Sequence, residues 1–318
     1  MSDFTVTVVG TGVIGASLGL AIKQTKDPPR LVAHDKELSN AKAAVQQGAF
    51  DKAEWNLINA CEQAEIIILA LPLNGIRATL EAITPYLKKG AIISDTARSK
   101  APVVAWAEEL LPKHAQFVGG DPVVYPHGSG HSHAAPTLFK NRLYCLTPSA
   151  SADEEAVQFM VGLVKLIGGE PFFVDAVEHD GLITATEHLS LSLSAALMNT
   201  LATQPGWRET RKLAGALFEQ ASAGAEGDPD DLKDSLLNNR QNLGRWLDTY
   251  LNELMQLRRL LLEADETGEA LAQYLDKAVV ARRNWLADYQ QGRFIDPELV
   301  QPTVETTSFW KRWVGFGR

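Results

Sequence analysis

Hydrophobic and polar positions alternate between two kinds of segment over the first 174 residues. Short apolar or β-branched runs of the strand type occur at 4–9, 30–34, 65–71, 91–95, 116–119, 143–147 and 171–174. Segments with the apolar spacing of a helix lie between them at 16–23, 76–87, 102–111 and 153–167. Strands that alternate with helices build βαβ units, so we expect a parallel sheet covered by helices on both faces.

The strand pattern ends near Asp175, and helical spacing continues over 177–201, 207–221, 230–264 and 267–290. Turn and cap residues separate these stretches, for example Gln204-Pro205-Gly206. The pattern predicts an α/β domain over 1–174, an all-α domain over 175–296 and a tail over 297–318. The long helices are more apolar than one subunit needs, which predicts a homodimer formed through the helical domain. The aromatic and basic tail is expected to pack on that dimer or to be disordered.

Composition narrows the class of protein. The 318 residues include 30 Lys+Arg and 39 Asp+Glu, a net charge of −9, which disfavours nucleic acids and membrane surfaces as partners because both are polyanionic. No apolar run approaches the length of about 20 residues that a membrane span needs, and the N-terminus lacks a signal-peptide pattern. The isolated cysteines Cys61 and Cys145 suit a reducing cytoplasm. Most of the acidity belongs to residues 175–296, so a small anionic substrate is not excluded.

A glycine-rich loop supplies the first chemical signal. Gly10-x-Gly12-x-x-Gly15 lies between a predicted strand and a predicted helix, which is the context in which this motif binds the pyrophosphate of a dinucleotide. Asp35 ends the second predicted strand, where a carboxylate can accept hydrogen bonds from a ribose and repel a 2′-phosphate. The α/β domain is therefore predicted to be of the Rossmann type, a doubly wound parallel sheet, with NAD as its cofactor; Lys36 keeps NADP possible. The predicted cofactor-binding residues are Gly10, Gly12, Val13, Ile14, Gly15, Asp35, Leu71 and Pro72.

Several further fragments along the chain form a recognisable series. They are 9–18, Leu69-Ala70-Leu71-Pro72, the segment 95–100 with its Asp, Ser and Lys, Leu138-Phe139, Leu146-Thr147-Pro148, Glu178-His179-Asp180, Glu187-His188-Leu189 and Thr210-Arg211. In this order and spacing they resemble the prephenate/arogenate dehydrogenases of tyrosine biosynthesis. The resemblance implies an oxidative decarboxylation of a cyclohexadienol. A hydride leaves the ring for the nicotinamide, the ring hydroxyl is deprotonated, and loss of CO₂ produces the aromatic ring.

The chain departs from this family at the catalytic base. The family's histidine stands in Gly-Gly-His-Pro-Met-Ala-Gly, whereas this chain reads Gly119-Gly120-Asp121-Pro122-Val123, so that Asp121 takes the place of the histidine. A second family histidine corresponds to Leu191. A carboxylate can accept a hydroxyl proton, but it begins as an anion where an imidazole begins neutral. It would also repel a substrate that carries carboxylates.

Further candidates complete the predicted site. Ser99 is a candidate to hydrogen-bond residue 121 or the substrate hydroxyl, with a helix N-cap as its alternative. His127, in a loop with His131 and His133, is a candidate replacement for the lost imidazole, and the alternative is a solvated loop histidine. Arg211, with Arg208 beside it, is the candidate carboxylate clamp, and the resemblance places His188 in the substrate pocket. The spacing of the loop histidines matches no metal site, so no metal is predicted.

These observations lead to one principal hypothesis and two alternatives. The principal hypothesis is an NAD(P)-dependent dehydrogenase of the prephenate/arogenate type with a small anionic substrate. One alternative is a related β-hydroxyacid-type dehydrogenase, which calls for a lysine on the first long helix, and residues 177–201 contain none. The other is a nucleotide-binding protein that has lost catalysis and acts as a sensor or regulatory subunit.

Overall fold

The computed structural model describes residues 4–124, 126, 128, 130–227, 229–291 and 309–313. These residues form two compact units. The first comprises the described residues up to His179 together with 309–313, and the second runs from Asp180 to residue 291. The division falls within one helix, at 179/180, and the predicted domain boundary at 174/175 stays a prediction.

The first unit is built on one eight-stranded sheet. Its strands are β1 (Thr5–Val9), β2 (Arg30–His34), β3 (Lys52–Ala53), β4 (Ile66–Leu69), β5 (Ile92–Asp95), β6 (Gln116–Pro122), β7 (Leu143–Pro148) and β8 (Glu170–Phe173). They lie in the order β3-β2-β1-β4-β5-β6-β7-β8. Neighbouring strands are parallel except β6 and β7, which are antiparallel. The chain reverses its direction of winding between β1 and β4, and ligands of such sheets bind at that point, beyond the carboxyl ends of the strands.

Helices cover both faces of the sheet, as predicted. They are α1 (Val13–Lys23), α2 (Leu38–Gln46), α3 (Leu57–Cys61), α4 (Leu73–Ile83), α5 (Ala101–Leu110) and α6 (Glu154–Leu166). Successive side chains of a strand point to opposite faces, and β4 contributes side chains to the hydrophobic clusters on both faces of the sheet. Ile66 and Ile68 lie in one hydrophobic cluster with Val6 and Val8, whereas Ile67 and Leu69 lie in the other. An uninterrupted apolar strand is the pattern that burial on both faces requires.

A short helix from the C-terminal segment, α14 (Phe309–Trp313), belongs to the core of the first unit. Its aromatic side chains surround Phe159 of α6, with ring centroids at 5.4 Å for Phe309, 6.2 Å for Trp310 and 5.2 Å for Trp313. The Trp310 indole N–H also donates a hydrogen bond of 2.9 Å to Thr25 Oγ1. The aromatic part of the predicted tail is therefore a structural element of the α/β unit. Sequence reasoning did not anticipate this packing.

The second unit is helical. After α7 (Ala176–Ile183), which spans the division between the units, a π-helical turn (Thr184–His188) leads into α8 (Leu189–Ala202). The remaining helices are α9 (Trp207–Thr210), α10 (Ala216–Ser222), α11 (Pro229–Asn238), α12 (Arg240–Leu262) and α13 (Glu269–Gln291). The predicted fold class, a doubly wound parallel sheet followed by a helical domain, is confirmed. Among the described helices, none combines the length and the apolar character that crossing a membrane demands.

The helical unit leaves many large apolar side chains exposed. On α12 and α13 they are Trp246, Leu251, Leu254, Met255, Leu261, Leu262, Leu275, Val279, Val280 and Trp285. Exposed apolar surface of this extent on two long helices is typical of a protein–protein interface.

The packing of α14 gives a prediction that separates a specific contact from general burial. A Cβ on Gly162 would lie 2.3 Å from Cε2 of Phe309. Gly162→Ala should therefore destabilise the native chain. In the Phe309→Ala background it should be stabilising by up to about 1 kcal/mol, because alanine is the better helix former. Phe309→Ala alone should cost about 3 kcal/mol. Urea unfolding of the four chains in this double-mutant cycle measures the coupling.

The control is Trp55→Ala, since the Trp55 side chain is 69% exposed. It should change the free energy of unfolding by no more than about 0.5 kcal/mol. Equal effects of Gly162→Ala with and without Phe309 would contradict the packing of α14.

Candidate active site

The glycine loop joins the carboxyl end of β1 to the N-terminus of α1. Gly10 has a φ of +96°, and a Cβ there would lie 2.2 Å from the carbonyl oxygen of Ala70, just after β4. A Cβ on Gly15 would lie 2.0 Å from the Gly10 carbonyl oxygen. The loop, α1 and the end of β4 therefore approach one another so closely that these two positions accept only glycine.

Gly12 differs from its neighbours in the motif. Its φ is −63°, which any residue adopts, and a Cβ there would meet nothing within 4 Å among the described residues. The packing of the chain does not explain why this residue is glycine. Gly12 is also the N-cap of α1 and gives the helix no side-chain cap, so the first amides of α1 are available to an anion. The space and the donors both fit the pyrophosphate of a dinucleotide.

Asp35 follows β2 and is held against the glycine loop. Its Oδ2 accepts hydrogen bonds from the backbone N–H and the hydroxyl of Thr11, both at 2.8 Å. Its Oδ1 accepts from the Glu37 N–H at 3.0 Å and from the Asn40 side chain at 3.4 Å. Partial burial acts to raise the pKa of Asp35, but these donors outweigh it and hold the pKa below its usual value. The group is therefore a carboxylate at neutral pH, as hydrogen bonding to a ribose requires.

Leu71 and Pro72 complete the same edge of the sheet. A Cβ on Gly10 would lie 3.1 Å from Leu71 Cδ2, so the Leu71 side chain borders the loop. Pro72 is exposed and forms the N-cap of α4. The structure thus brings all the predicted cofactor-binding residues together where the sheet changes its direction of winding.

A buried ion pair lies beside this edge, between β5 and β6. Lys100 and Asp95 are fully buried and hydrogen-bonded to each other. Lys100 Nζ also donates to the Gly120 carbonyl at 2.6 Å, and the Gly120 N–H donates to Asp95 Oδ1 at 3.2 Å. Burial raises the pKa of Asp95, and the Lys100 charge opposes that rise. These contacts fix the backbone of β6 next to Asp121.

Asp121 is fully buried in β6. Its Oδ2 lies 3.1 Å from Nε2 of His179, the buried histidine of α7. Its Oδ1 has no hydrogen-bond partner among the described residues and lies 3.8 Å from Nε of Arg98. Arg98 also donates to the Val124 carbonyl at 3.1 Å. The residue in place of the family's histidine is therefore in contact with both a cation and an imidazole.

Ser99 is buried next to Arg98, but no hydrogen bond between Ser99 and Asp121 occurs in the described part of the chain. The N-cap of α5 is Lys100, without a side-chain cap bond, so Ser99 does not take the alternative role of N-cap. If the family pattern Asp-x-x-Ser-x-Lys is aligned with Asp95 and Lys100 without a shift, Arg98 occupies the position of the serine. The family positions of the serine and the histidine thus both carry charged residues here, and the two lie side by side. The catalytic role of Ser99 stays a prediction.

His127 lies outside the described residues. His133 is exposed and His131 half-buried, and both belong to a 3₁₀ turn, His131–His133. Among the residues that the structure describes, no group of three or more His, Cys, Asp or Glu side chains is arranged to hold a metal ion.

The remaining candidates lie in the helical unit. His188 is buried at the end of the π-helical turn. Arg208 lies on α9 and Arg211 begins a 3₁₀ turn, and both are exposed. Neither arginine makes an ion pair with a described residue. Their substrate-binding roles stay predictions.

Sequence reasoning missed four residues that shape the site. Thr11 fixes Asp35, Lys100 fixes β6, and Arg98 and His179 contact Asp121. Arg98, Lys100 and His179 stand within motifs that the sequence analysis had quoted. The signal that could have found Arg98 is the strict spacing of Asp95, residue 98 and Lys100.

Comparison with known proteins relates the chain to one family. Residues 18–172 match the family model for the prephenate dehydrogenase nucleotide-binding domain, and residues 175–277 match that for its dimerization domain. The prephenate dehydrogenase of Bacillus subtilis is 29% identical over 278 residues, 86% of this chain and 74% of that protein. The cyclohexadienyl dehydrogenase of Zymomonas mobilis is 25% identical over 280 residues, 87% of this chain and 94% of that protein.

Solved structures share the fold. The arogenate dehydrogenase of Synechocystis superposes with a TM-score of 0.71 at 27% identity, over 89% of this chain and 100% of that one. The prephenate dehydrogenase of Aquifex aeolicus, in complex with hydroxyphenyl propionate and NAD+, gives a TM-score of 0.80 at 22% identity, over 89% and 99%. Because the two family models follow each other along most of the sequence, the chain belongs to the prephenate dehydrogenase family.

Proposed function

We propose that this chain is an NAD-dependent dehydrogenase that oxidises and decarboxylates prephenate or arogenate. The observation that carries the proposal is the open position at Gly12, between the amides of α1 and the carboxylate of Asp35. It fits a dinucleotide without a 2′-phosphate, and it occurs in a chain of the prephenate dehydrogenase family.

The residues of the first unit bind and orient the cofactor in this proposal. The α1 amides hydrogen-bond the pyrophosphate, and Asp35, kept ionised by its donors, accepts from the ribose hydroxyls. Leu71 and Pro72 border the same crevice. When bound, NAD accepts the hydride that leaves the substrate ring. The bound NAD+ of the Aquifex aeolicus relative supports this choice of cofactor.

The substrate needs a clamp for its carboxylates and an acceptor for its hydroxyl proton. Arg211, with Arg208 in the preceding turn, offers guanidinium groups not engaged in ion pairs with described residues, and guanidinium binds carboxylate through two parallel hydrogen bonds. His188 contributes to the pocket, as the resemblance implies. Asp121 accepts the hydroxyl proton, with His127 as a further candidate for that role, and Ser99 hydrogen-bonds the substrate hydroxyl. The Arg98 cation offsets the negative charge of Asp121 and so lowers its repulsion of an anionic substrate.

A homodimer through the helical domain is part of the same proposal. The match to the dimerization domain and the exposed apolar side chains of α12 and α13 support it. Light scattering should give twice the subunit mass of 34.7 kDa.

The first experiment tests the activity itself. The purified chain is mixed with NAD+ and either prephenate or arogenate, and NADH formation is followed by absorbance. We expect turnover of at least one substrate, with a phenolic product and CO₂. If NAD binds but neither substrate reacts, the chain is a nucleotide-binding protein without this catalysis, the alternative that the replacement of the family's histidine by Asp121 raises.

Gly12→Ala should separate cofactor binding from folding. The added methyl group meets no described atom within 4 Å, so the melting temperature should stay unchanged. The methyl would occupy the approach of the pyrophosphate, so the Kd for NAD should rise at least about 10-fold, or about 1.4 kcal/mol. Calorimetric titration measures the Kd. Gly15→Ala provides the contrast, because its clash with the Gly10 carbonyl should destabilise the fold as well. Unchanged NAD binding by folded Gly12→Ala would exclude this loop as the pyrophosphate site.

Asp35→Asn tests the choice between NAD and NADP. Asparagine keeps the shape and can still accept from Thr11, but it removes the charge that repels a 2′-phosphate. The ratio of the Kd for NADP to the Kd for NAD should fall about 10-fold, a change of about 1.4 kcal/mol. The control is Asp51→Asn, a carboxylate of the same unit that pairs with Lys23 and should leave the ratio unchanged. A ratio equally insensitive to both variants would remove Asp35 from the cofactor site.

A further inference from the structure

The contact between Asp121 and His179 joins two side chains that no sequence motif connects. They are 58 residues apart in sequence, on β6 and α7, with Asp121 Oδ2 and His179 Nε2 at 3.1 Å. Their side chains are only 1% and 2% exposed. A buried carboxylate and imidazole at hydrogen-bond distance can pass a proton between them, so this contact makes the two side chains one acid–base unit.

Arg98 makes this pair a group of three. Its Nε lies 3.8 Å from Asp121 Oδ1, the oxygen that does not face His179. With Asp121 ionised and His179 neutral, the group of three has no net charge. After it takes up one proton, the net charge is +1. A single imidazole undergoes the same change, from neutral to cationic, whereas a lone carboxylate goes from −1 to neutral.

Two neighbouring features of Asp121 add no net charge to this group of three. Lys100 and Asp95, which adjoin Asp121 through the Gly120 backbone, form a fully buried pair of opposite charges. Tyr144 faces Asp121 from β7; burial and the carboxylates of Asp95 and Asp121 raise the pKa of its phenol, which is therefore neutral.

The oxygen that can receive a proton is Oδ1 of Asp121. Oδ2 is engaged with His179, whereas Oδ1 is buried with no hydrogen-bond partner among the described residues. The Arg98 Nε, at 3.8 Å, is beyond hydrogen-bond distance but close enough to interact through its charge. A substrate hydroxyl that reaches this buried oxygen would supply the donor that Oδ1 lacks.

We propose that Asp121 is the catalytic proton acceptor and that His179 and Arg98 are positioning residues which give it the charge behaviour of an imidazole. This inference rests on the proposed function. The substrate O–H bond breaks and a bond from the proton to Asp121 Oδ1 forms, while the C–H electron pair leaves as hydride to NAD. When CO₂ departs, the electron pair of the broken C–C bond enters the ring. The resulting phenolate takes the proton back, so that the group of three is restored.

The test compares pH profiles of kcat/KM for the native chain, His179→Asn, Arg98→Gln and the control His114→Asn. Exposed His114 lies near the opposite end of β6. In His179→Asn the acidic limb of the profile should move to lower pH by at least about one unit, because a carboxylate beside arginine alone is a weaker base, and kcat should fall about 10- to 100-fold. In Arg98→Gln the limb should move to higher pH, because the pair loses its cation. The profile of His114→Asn should match that of the native chain.

A second readout needs neither substrate nor cofactor. Nitrogen NMR of the folded chain reports the protonation of His179, with His179→Asn used to assign its signal. In Asp121→Asn the His179 titration should shift to lower pH by at least about one unit, because the imidazolium loses its carboxylate partner. Asp51→Asn should not shift it. An unchanged His179 titration in Asp121→Asn would overturn the proposed coupling.

The outcomes separate the two proposals. If the native chain turns over substrate and His179→Asn lowers kcat without moving the acidic limb, His179 is merely structural; the inference fails and the proposed function stands. If the native chain turns over neither substrate, the proposed function fails, and the role of Asp121 as proton acceptor fails with it. Turnover together with a displaced limb and a displaced His179 titration supports both.

Discussion

The site depends on one buried ion pair, between Lys100 and Asp95. Charges fully withdrawn from water are tolerated only when they are paired and their remaining hydrogen-bonding capacity is used. Here the remaining capacity goes to the Gly120 backbone, through its carbonyl to Lys100 and its N–H to Asp95. The pair therefore fastens β6 to β5 at the residue before Asp121. Loss of either partner would leave a buried charge at the point where the backbone must hold the candidate proton acceptor.

In the first unit, the candidate cofactor edge and the candidate acid–base group are built by different physical means. At the glycine loop, the backbone segments approach one another so closely that only glycine fits, because a side chain at Gly10 or Gly15 would overlap a carbonyl oxygen. At Asp121, electrostatics determines which residues can be neighbours, because a buried carboxylate needs partners such as the Arg98 guanidinium and the His179 imidazole. The replacement of the family's histidine by Asp121 is thus accompanied by a neighbouring positive charge, that of Arg98. Compared with the family one position at a time, the chain departs at both positions, but the structure places these two opposite charges beside each other.

The helical unit and the C-terminal segment show the limits of helical periodicity. Residues 177–201 read as one amphipathic helix, but the structure divides them into α7, a π-helical turn and α8. The stretch 230–264 likewise breaks into α11 and α12 around Asn239. Periodicity indicates which face of a helical stretch is apolar, but it does not determine the backbone hydrogen-bond pattern within the stretch. The sequence of α14 does not show where its aromatic side chains pack. The space for Phe309 exists only because residue 162 is a glycine.

The sequence by itself determined the alternation of strands and helices, the change to an all-helical half and the glycine loop with its acidic partner. Each of these follows from local rules: side-chain periodicity, turn chemistry and backbone sterics. It did not determine the short strand β3, whose two residues are too few for a pattern. Nor did it decide what surrounds Asp121, because Arg98 and His179 come 23 residues before it and 58 residues after it. The tertiary structure decided that, since only packing brings β6, α7 and the turn after β5 together, and burial then makes the charge of each group depend on the others.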